Sequence, residues 1–309
     1  MKSYLYPCSE HLRDQASTLG ISALGIAQIK TVSSDTINCY RNWIKANLHG
    51  TMSYMERYDS IRYNPDLLLP NAKSIIVAAF NYYHPLTTRA NQPQFASYSL
   101  GTDYHEIVRN KLNTLASYIT NNWGGETRVC VDTAPIFERY WAQQAGIGFI
   151  GRNSMLIVPN IGSYVFLGII LSTTEFIPNE PSTQSCIGCN ACIRKCPGKA
   201  LSINNLFDAR KCNSYLTIEY RDELPSNTLL ENRIYGCDVC QQVCPHNINA
   251  PTTTIPEFLP RKEILALSYS DIEEMTQEQF SRIFTHSAIK RTKLSGLQRN
   301  CRHCTPKQE

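Results

Sequence analysis

The 309-residue chain lacks any run of eighteen apolar residues, and between Met1 and Leu19 it lacks the basic, apolar, small-residue pattern of a secretory leader. Those absences argue against a membrane span and against export, so the cytoplasm is the expected compartment. There is no low-complexity tract and, apart from a duplicated cysteine motif, no internal repeat of solenoid length. Charged residues make up 18% against 42% hydrophobic, which excludes a disordered polyelectrolyte and leaves length for two domains. The net charge of +4 says little over the whole chain. Residues 281–309, however, hold seven Lys or Arg against one acid, Glu309. Such a tail suits phosphates, or it is a solvated basic end.

Cofactor signatures are also missing. No C-x3-C-x2-C of radical chemistry occurs. Gly146-Ile-Gly148-Phe-Ile-Gly151 matches G-x-G-x-x-G, but it follows a helical pattern and leads into a strand, the reverse of a dinucleotide-binding turn. Those glycines mark either a close backbone approach to something bulky or a tight turn. Asp103-Tyr-His105 begins a D-x-H-x-x-G motif that ligates cobalt through histidine, yet Val108 stands in the glycine's place. His105 therefore reads as an ordinary residue of a first helical turn.

Cysteine is what the chain has in abundance: thirteen, of which eight lie from Cys186 to Cys244 in C-x-x-C spacings that suit metal in a reducing compartment. Cys186, Cys189, Cys192, Cys196 and Pro197 give C-x2-C-x2-C-x3-C-P, the run of bacterial two-cluster ferredoxins, whose fourth cysteine serves the other cluster. A second motif, Cys237, Cys240, Cys244 and Pro245, lacks its first cysteine because Ile234 occupies that place. Cys212 is the nearest spare thiol and closes the count at eight. The expected ligand sets are Cys186, Cys189, Cys192 and Cys244 for one [4Fe-4S] cluster, and Cys196, Cys212, Cys237 and Cys240 for the other. Two tetrahedral zinc sites are the alternative. Cys8, Cys39 and Cys130 read as plain buried thiols, and Cys301-Arg-His303-Cys304 as an incidental pair in a polar, frayed end.

Hydrophobic periodicity places an α/β (α+β) region before the cysteines. It predicts a helix over 11–19, a buried strand over 74–83, and a helix over 103–119 behind an Asp103 cap with Tyr104, Val108, Leu112, Leu115 and Ile119 on one face. A strand over 128–133, a helix from Pro135 to Gly146 and a strand over 163–173 follow. The expected divisions are 1–177, an α/β reductase domain; 178–250, a ferredoxin-like domain with two [4Fe-4S] clusters; and 251–309, a helical segment with a basic tail. Clusters carry single electrons, and the long region before them favours an enzyme with its own reducible centre. Asp132 ends a strand just ahead of a helix, where it is either a general acid at a ligand-binding strand end or a helix cap.

Several stretches together resemble the epoxyqueuosine reductases of tRNA modification: residues 52–83, GTDYHEIVRNKL (101–112), VDTAPIFERYWAQQAGIGFIGRNSMLI (131–157), GSYVFLGIIL (162–171), the cysteine motif, RKCNSYLTIE (210–219) and NRIYGCDVCQQVCPHN (232–247). The resemblance implies cobalamin held base-off between the two domains. It also implies a tRNA substrate carrying epoxyqueuosine at the wobble position, and electrons from an external donor such as a flavodoxin or ferredoxin. Asp132 matches the family's proton donor. Arg62, Arg152, Asn153, Ser214 and Asp238 match positions near the corrin, and Arg139 a position expected to meet tRNA. Many members continue into helical repeats beyond a segment like LSGLQRN, so tRNA binding here is expected to lean on Lys290 to Arg302. A reductive-dehalogenase-like corrinoid enzyme and a pure electron-transfer protein are the rival readings, and a monomer is expected.

Overall fold

A computed structural model describes residues 9–85, 92–203 and 206–304, so Cys8 lies outside the described residues. In chain order the strands are β1 (Ala23–Gln28), β2 (Ser74–Asn81), β3 (Gln94–Phe95), β4 (Thr127–Cys130), β5 (Phe149–Ile150), β6 (Leu156–Ile157), β7 (Val165–Ser172) and β8 (Arg233–Tyr235). Four of them form one sheet in the order β1-β2-β7-β4, and every neighbouring pair is antiparallel. The rule that ligands gather at the strand ends of parallel sheets therefore gives no support to Asp132. Its case rests on its neighbours.

All eight residues of β2 are buried. Successive side chains point to opposite faces, and both faces are covered. Ile76, Ala78 and Phe80 enter a core with Val108, Leu112 and Ile119 of the helix Tyr104–Trp123 and with Leu12 of the helix Ser9–Thr18. Ile75, Val77 and Ala79 enter a second core with Tyr140 and Trp141 of the helix Glu138–Gln144. Each fully buried Ile or Leu contributes roughly 1.5–3 kcal/mol relative to exposure. This layer fixes the loop between β4 and the helix Glu138–Gln144.

The glycine run after that helix turns the chain into the β5–β6 hairpin. Gly146 has φ +75, and a Cβ there would lie 2.5 Å from the Glu180 carbonyl oxygen; one on Gly148 would strike the Ile157 carbonyl. Close approach of backbone accounts for both, and the positive φ of Gly146 adds a turn there.

Beyond residue 178 the short helices Ala191–Lys195 and Val239–Gln242 pack together, each carrying part of a cysteine motif. Parallel pairing of β3 with β8 ties this region to the first. A third core joins Phe95 and Leu100 to Ile218, Ile234 and Tyr235 and to Phe284, Leu297 and Cys301, so it draws on all three expected segments. Residues 300–304 are not frayed: they end the helix Lys293–Cys304. Asn300 donates to the carbonyls of Thr217 (2.8 Å) and Ile234 (2.9 Å), and Arg299 to those of Leu216, Tyr220 and Asp222. Their polarity serves buried backbone, not solvent.

Candidate active site and cluster cradle

Asp132 follows β4 with φ +53, a left-handed backbone that aspartate tolerates better than most residues. Its amide donates to Glu138 Oε1 at 2.8 Å. The helix beyond starts only at Glu138, three residues after Pro135, with Phe137 at its capping position and no side-chain cap. Asp132 is therefore no helix cap. Instead its Oδ2 lies 3.0 Å from His105 Nε2, while His105 Nδ1 lies 2.7 Å from Asp103 Oδ1.

The helix Tyr104–Trp123 explains the arrangement. Asp103 caps it by accepting the His105 amide at 3.0 Å, which sets the imidazole of the first turn beside the capping carboxylate and aims its far nitrogen at Asp132. His105 is thus no ordinary first-turn residue. An ionised carboxylate can only accept, so one at each ring nitrogen calls for a proton on both. Burial pulls the His105 pKa down, but the hydrogen bonds and charges of Asp103 and Asp132 outweigh it and push it up to about 9. Half-buried Glu138 is pushed up to about 8, by burial first and then by the Asp132 charge. The group holds protons at neutral pH beside a carboxyl that is 52% exposed. Residue spacing hid Glu138, whereas Asp-x-His at a predicted cap was the available signal for His105.

Next to this loop, Tyr58, Ile61, Arg109, Arg128 and Thr133 line an open cavity of about 420 Å³. Arg62 is buried, its guanidinium 5.4 Å from the Tyr40 ring centre and 5.7 Å from that of Phe137, with Nε lacking a partner. Arg139 is exposed and donates to the Ser154 carbonyl.

The eight clustered cysteines gather in two neighbourhoods. Burial above all, and then the nearby Cys186, Cys192 and Cys189, raises the Cys244 thiol pKa. Burial, Cys237, Cys212 and Cys196 raise that of Cys240. Cys237 is pushed up to about 12, chiefly by burial. These are the two sets drawn from the motif spacing. Backbone amides point at the sulfurs: Arg152 N donates to Cys186 Sγ and Ala200 N to Cys196 Sγ, both at 3.3 Å, and those of Ile193, Ser214, Val239 and His246 face Cys192, Cys212, Cys237 and Cys244. Thiols so placed ionise readily only against cationic metal, and N–H donors to sulfur suit iron–sulfur ligation.

The remaining expected residues are divided. Buried Asn153 reaches the Cys240 carbonyl at 3.5 Å, and Arg152 donates to Asn190 Oδ1, so both lie against the cysteine region. Ser214 is half-buried in the turn behind Cys212. Asp238 is buried with its carboxylate occupied by Ser97, whose amide and hydroxyl each donate at 2.7 Å. Cys130 is buried but Cys39 is exposed, because its helix Ser34–Lys45 buries no residue fully. Cys301 is buried in the third core and Cys304 packs against it. In the stretch 290–302, Arg291 forms a two-pronged pair with Glu219 at 2.9 and 3.0 Å and Arg299 is buried, while Lys290, Lys293 and Arg302 are exposed.

Comparison with known proteins bears on this site. Residues 62–133 match the model of the epoxyqueuosine reductase QueG family, and residues 185–247 that of a 4Fe-4S double cluster binding domain. An epoxyqueuosine reductase from Cyclobacterium marinum is 38% identical over 295 residues, covering 94% of each chain. The chain belongs to the epoxyqueuosine reductase family. A relative from Cellulophaga algicola is 35% identical over 94% of this chain and 96% of its own. A crystal structure of an epoxyqueuosine reductase with an epoxyqueuosine-modified tRNA-Tyr stem loop superposes with a TM-score of 0.86 at 30% identity, covering 96% of this chain and 80% of that one. The Bacillus subtilis enzyme, solved with its catalytic aspartate loop swung out of the active site, gives 0.84 at the same identity and coverage. Among the described residues no helix is long and apolar enough to cross a membrane.

Proposed function

We propose that the chain reduces epoxyqueuosine to queuosine at the wobble position of tRNA, the last step of queuosine biosynthesis, using cobalamin and two [4Fe-4S] clusters. The bridge from Asp103 through His105 to Asp132 carries this reading, because it provides a proton source at a solvent-reachable carboxyl. Removing the epoxide oxygen as water and leaving an alkene consumes two electrons and two protons. When bound, low-valent cobalt supplies the electron pair to the epoxide, and the clusters replenish it singly.

The chain's own part is binding and proton handling. The proton on His105 Nε2 passes to Asp132 Oδ2 and from there to the leaving oxygen, with Asp103 holding the imidazole in line. Glu138 keeps the loop in place through the Asp132 amide and stores a further proton. Residues 178–250 would hold the clusters through the two cysteine quartets, and residues 1–177 the corrin. Orphaned Arg62 Nε, buried between aromatic rings, and Asn153, at the seam with the cysteine region, suit polar groups on a corrin's rim. Arg152 and Ser214 support that side by offering amides to Cys186 and Cys212. Asp238 acts indirectly, by fixing Ser97. Arg139, Lys290, Lys293 and Arg302 would meet the anticodon stem, residues 251–309 being the helical segment with the basic tail. The setting is a monomer in the cytoplasm fed by a flavodoxin or ferredoxin.

The test is direct. Protein reconstituted anaerobically with iron, sulfide and cobalamin, then reduced chemically, should convert an epoxyqueuosine stem loop to the queuosine form by mass analysis. A reconstituted protein that refuses cobalamin would instead be an electron-transfer protein, and one that acts on halogenated organics but not the stem loop a dehalogenase relative.

A further inference from the structure

Three stretches of chain contribute residues to the surroundings of the first cysteine quartet: 139–174, 181–207 and 239–256. None contains an Asp or Glu, although the chain holds 26 of them. The same stretches supply Arg139, Arg152, Arg194, Lys195 and Lys199. They meet at one recess, lined by Arg152 of the first, Ile187 and Cys189 of the second and His246 of the third.

Cys189 is the exposed member of its quartet; the others are half-buried or buried. Two guanidinium groups are fixed beside it, since Arg194 donates to the Cys189 carbonyl at 2.7 Å and Arg152 to Asn190 Oδ1. Isoleucines of the same three stretches stand bare: Ile187, which lines the recess, is 68% exposed, Ile248, two residues beyond the lining His246, 77%, and Ile150, two before the lining Arg152, 41%. Bare apolar side chains amid fixed charges of one sign match the make-up of a transient protein interface, in which charge sets encounter rate and apolar contact sets hold. Phosphates would find the cations equally attractive, but nothing in a nucleic-acid backbone uses exposed isoleucines.

We propose that this face docks an acidic one-electron carrier protein, which delivers electrons through Cys189 to the first cluster. Each docking oxidises the carrier by one electron and reduces the cluster by one, so two dockings support each epoxide removed. The proposal rests on the quartets holding clusters and deepens that reading.

The test uses a flavodoxin of net negative charge against the reconstituted holoenzyme, with dissociation constants measured at low and high salt. Arg194→Glu with Lys195→Glu should weaken flavodoxin binding about tenfold or more at low salt, and Ile248→Ser should weaken it with little change in salt dependence. Both variants should keep their iron, bleach normally with dithionite and bind the tRNA stem loop unchanged. Flavodoxin affinity equal to the parent's in both variants overturns the proposal, as does an equal loss of flavodoxin and stem-loop affinity, which would make the face an RNA surface. If the charge reversal loses iron, Ile248→Ser alone decides. An iron-free parent protein would overturn the cluster reading itself, a result separate from any docking failure.

Discussion

The sheet region and the cysteine region are held together by different means. Around β2 the interior is almost wholly apolar, and layers of Ile, Leu, Val and Phe close on both faces of the sheet. Around the cysteines, buried amides and hydroxyls take that role. Asn247 donates to Gln241 O at 2.8 Å and to Ser163 Oγ at 3.0 Å, Gln241 donates to Ser163 O at 2.9 Å, and Asn300 pins two carbonyls. An apolar core tolerates exchanges of similar volume, whereas a buried polar network is costly wherever one partner is lost. The electron-carrying half is thus specified by hydrogen bonds and metal, and the half that handles protons rests on an apolar core.

That contrast can be broken most severely at the metal. Cys212→Ala should lower iron by about half, leave one cluster spectroscopically intact and abolish turnover, because the path to the corrin is interrupted; unchanged iron would refute the ligand assignment. Asp132→Ala should act on the other half alone. Both clusters and bound cobalamin should persist while turnover falls on the order of a hundredfold or more, and full activity would remove Asp132 from the chemistry.

Smaller effects sharpen the same division. Asn300→Ala removes the side-chain donor to the buried Ile234 carbonyl and one of the two donors to that of Thr217, where the Thr292 hydroxyl remains, and should cost roughly 1–3 kcal/mol, read as a lower denaturation midpoint; no shift would mean the terminal helix is held by its apolar contacts alone. The proton network should give the gentlest signal. His105, raised to about 9, and Glu138, raised to about 8, both bind more protons folded than unfolded in the intervening range. Their contribution to stability is therefore fully present at low pH, below about 6.5 for His105 and about 4.5 for Glu138, and is lost as pH rises through 8 to 9. Melting temperature should fall over that range, and less steeply in His105→Gln, which should also shift the alkaline limb of the rate profile. An unchanged slope would show that His105 does not carry the proton.

Much of this was legible in the sequence where one physical rule governs a local pattern. The helix from Tyr104, the strand from Ser74 and the cysteine spacings follow from periodicity, capping and ligand count. β1 was missed because ALGIAQ is short and mixed in burial. The antiparallel order of the sheet is not written in any one strand. His105 and Glu138 were hidden for a similar reason: their chemistry arises from contacts across 27 and 6 residues of chain, set only once the helix Tyr104–Trp123 lies beside the end of β4. Polarity misled at residues 300–304, where Asn300 looks like surface and is wholly buried.

β4 pairs with β7 alone and forms one margin of the sheet. The acid therefore sits just past the rim of the sheet, outside its hydrogen-bond ladder. Its place is set by the contacts with His105 and Glu138 and by no ladder bond to a neighbouring strand.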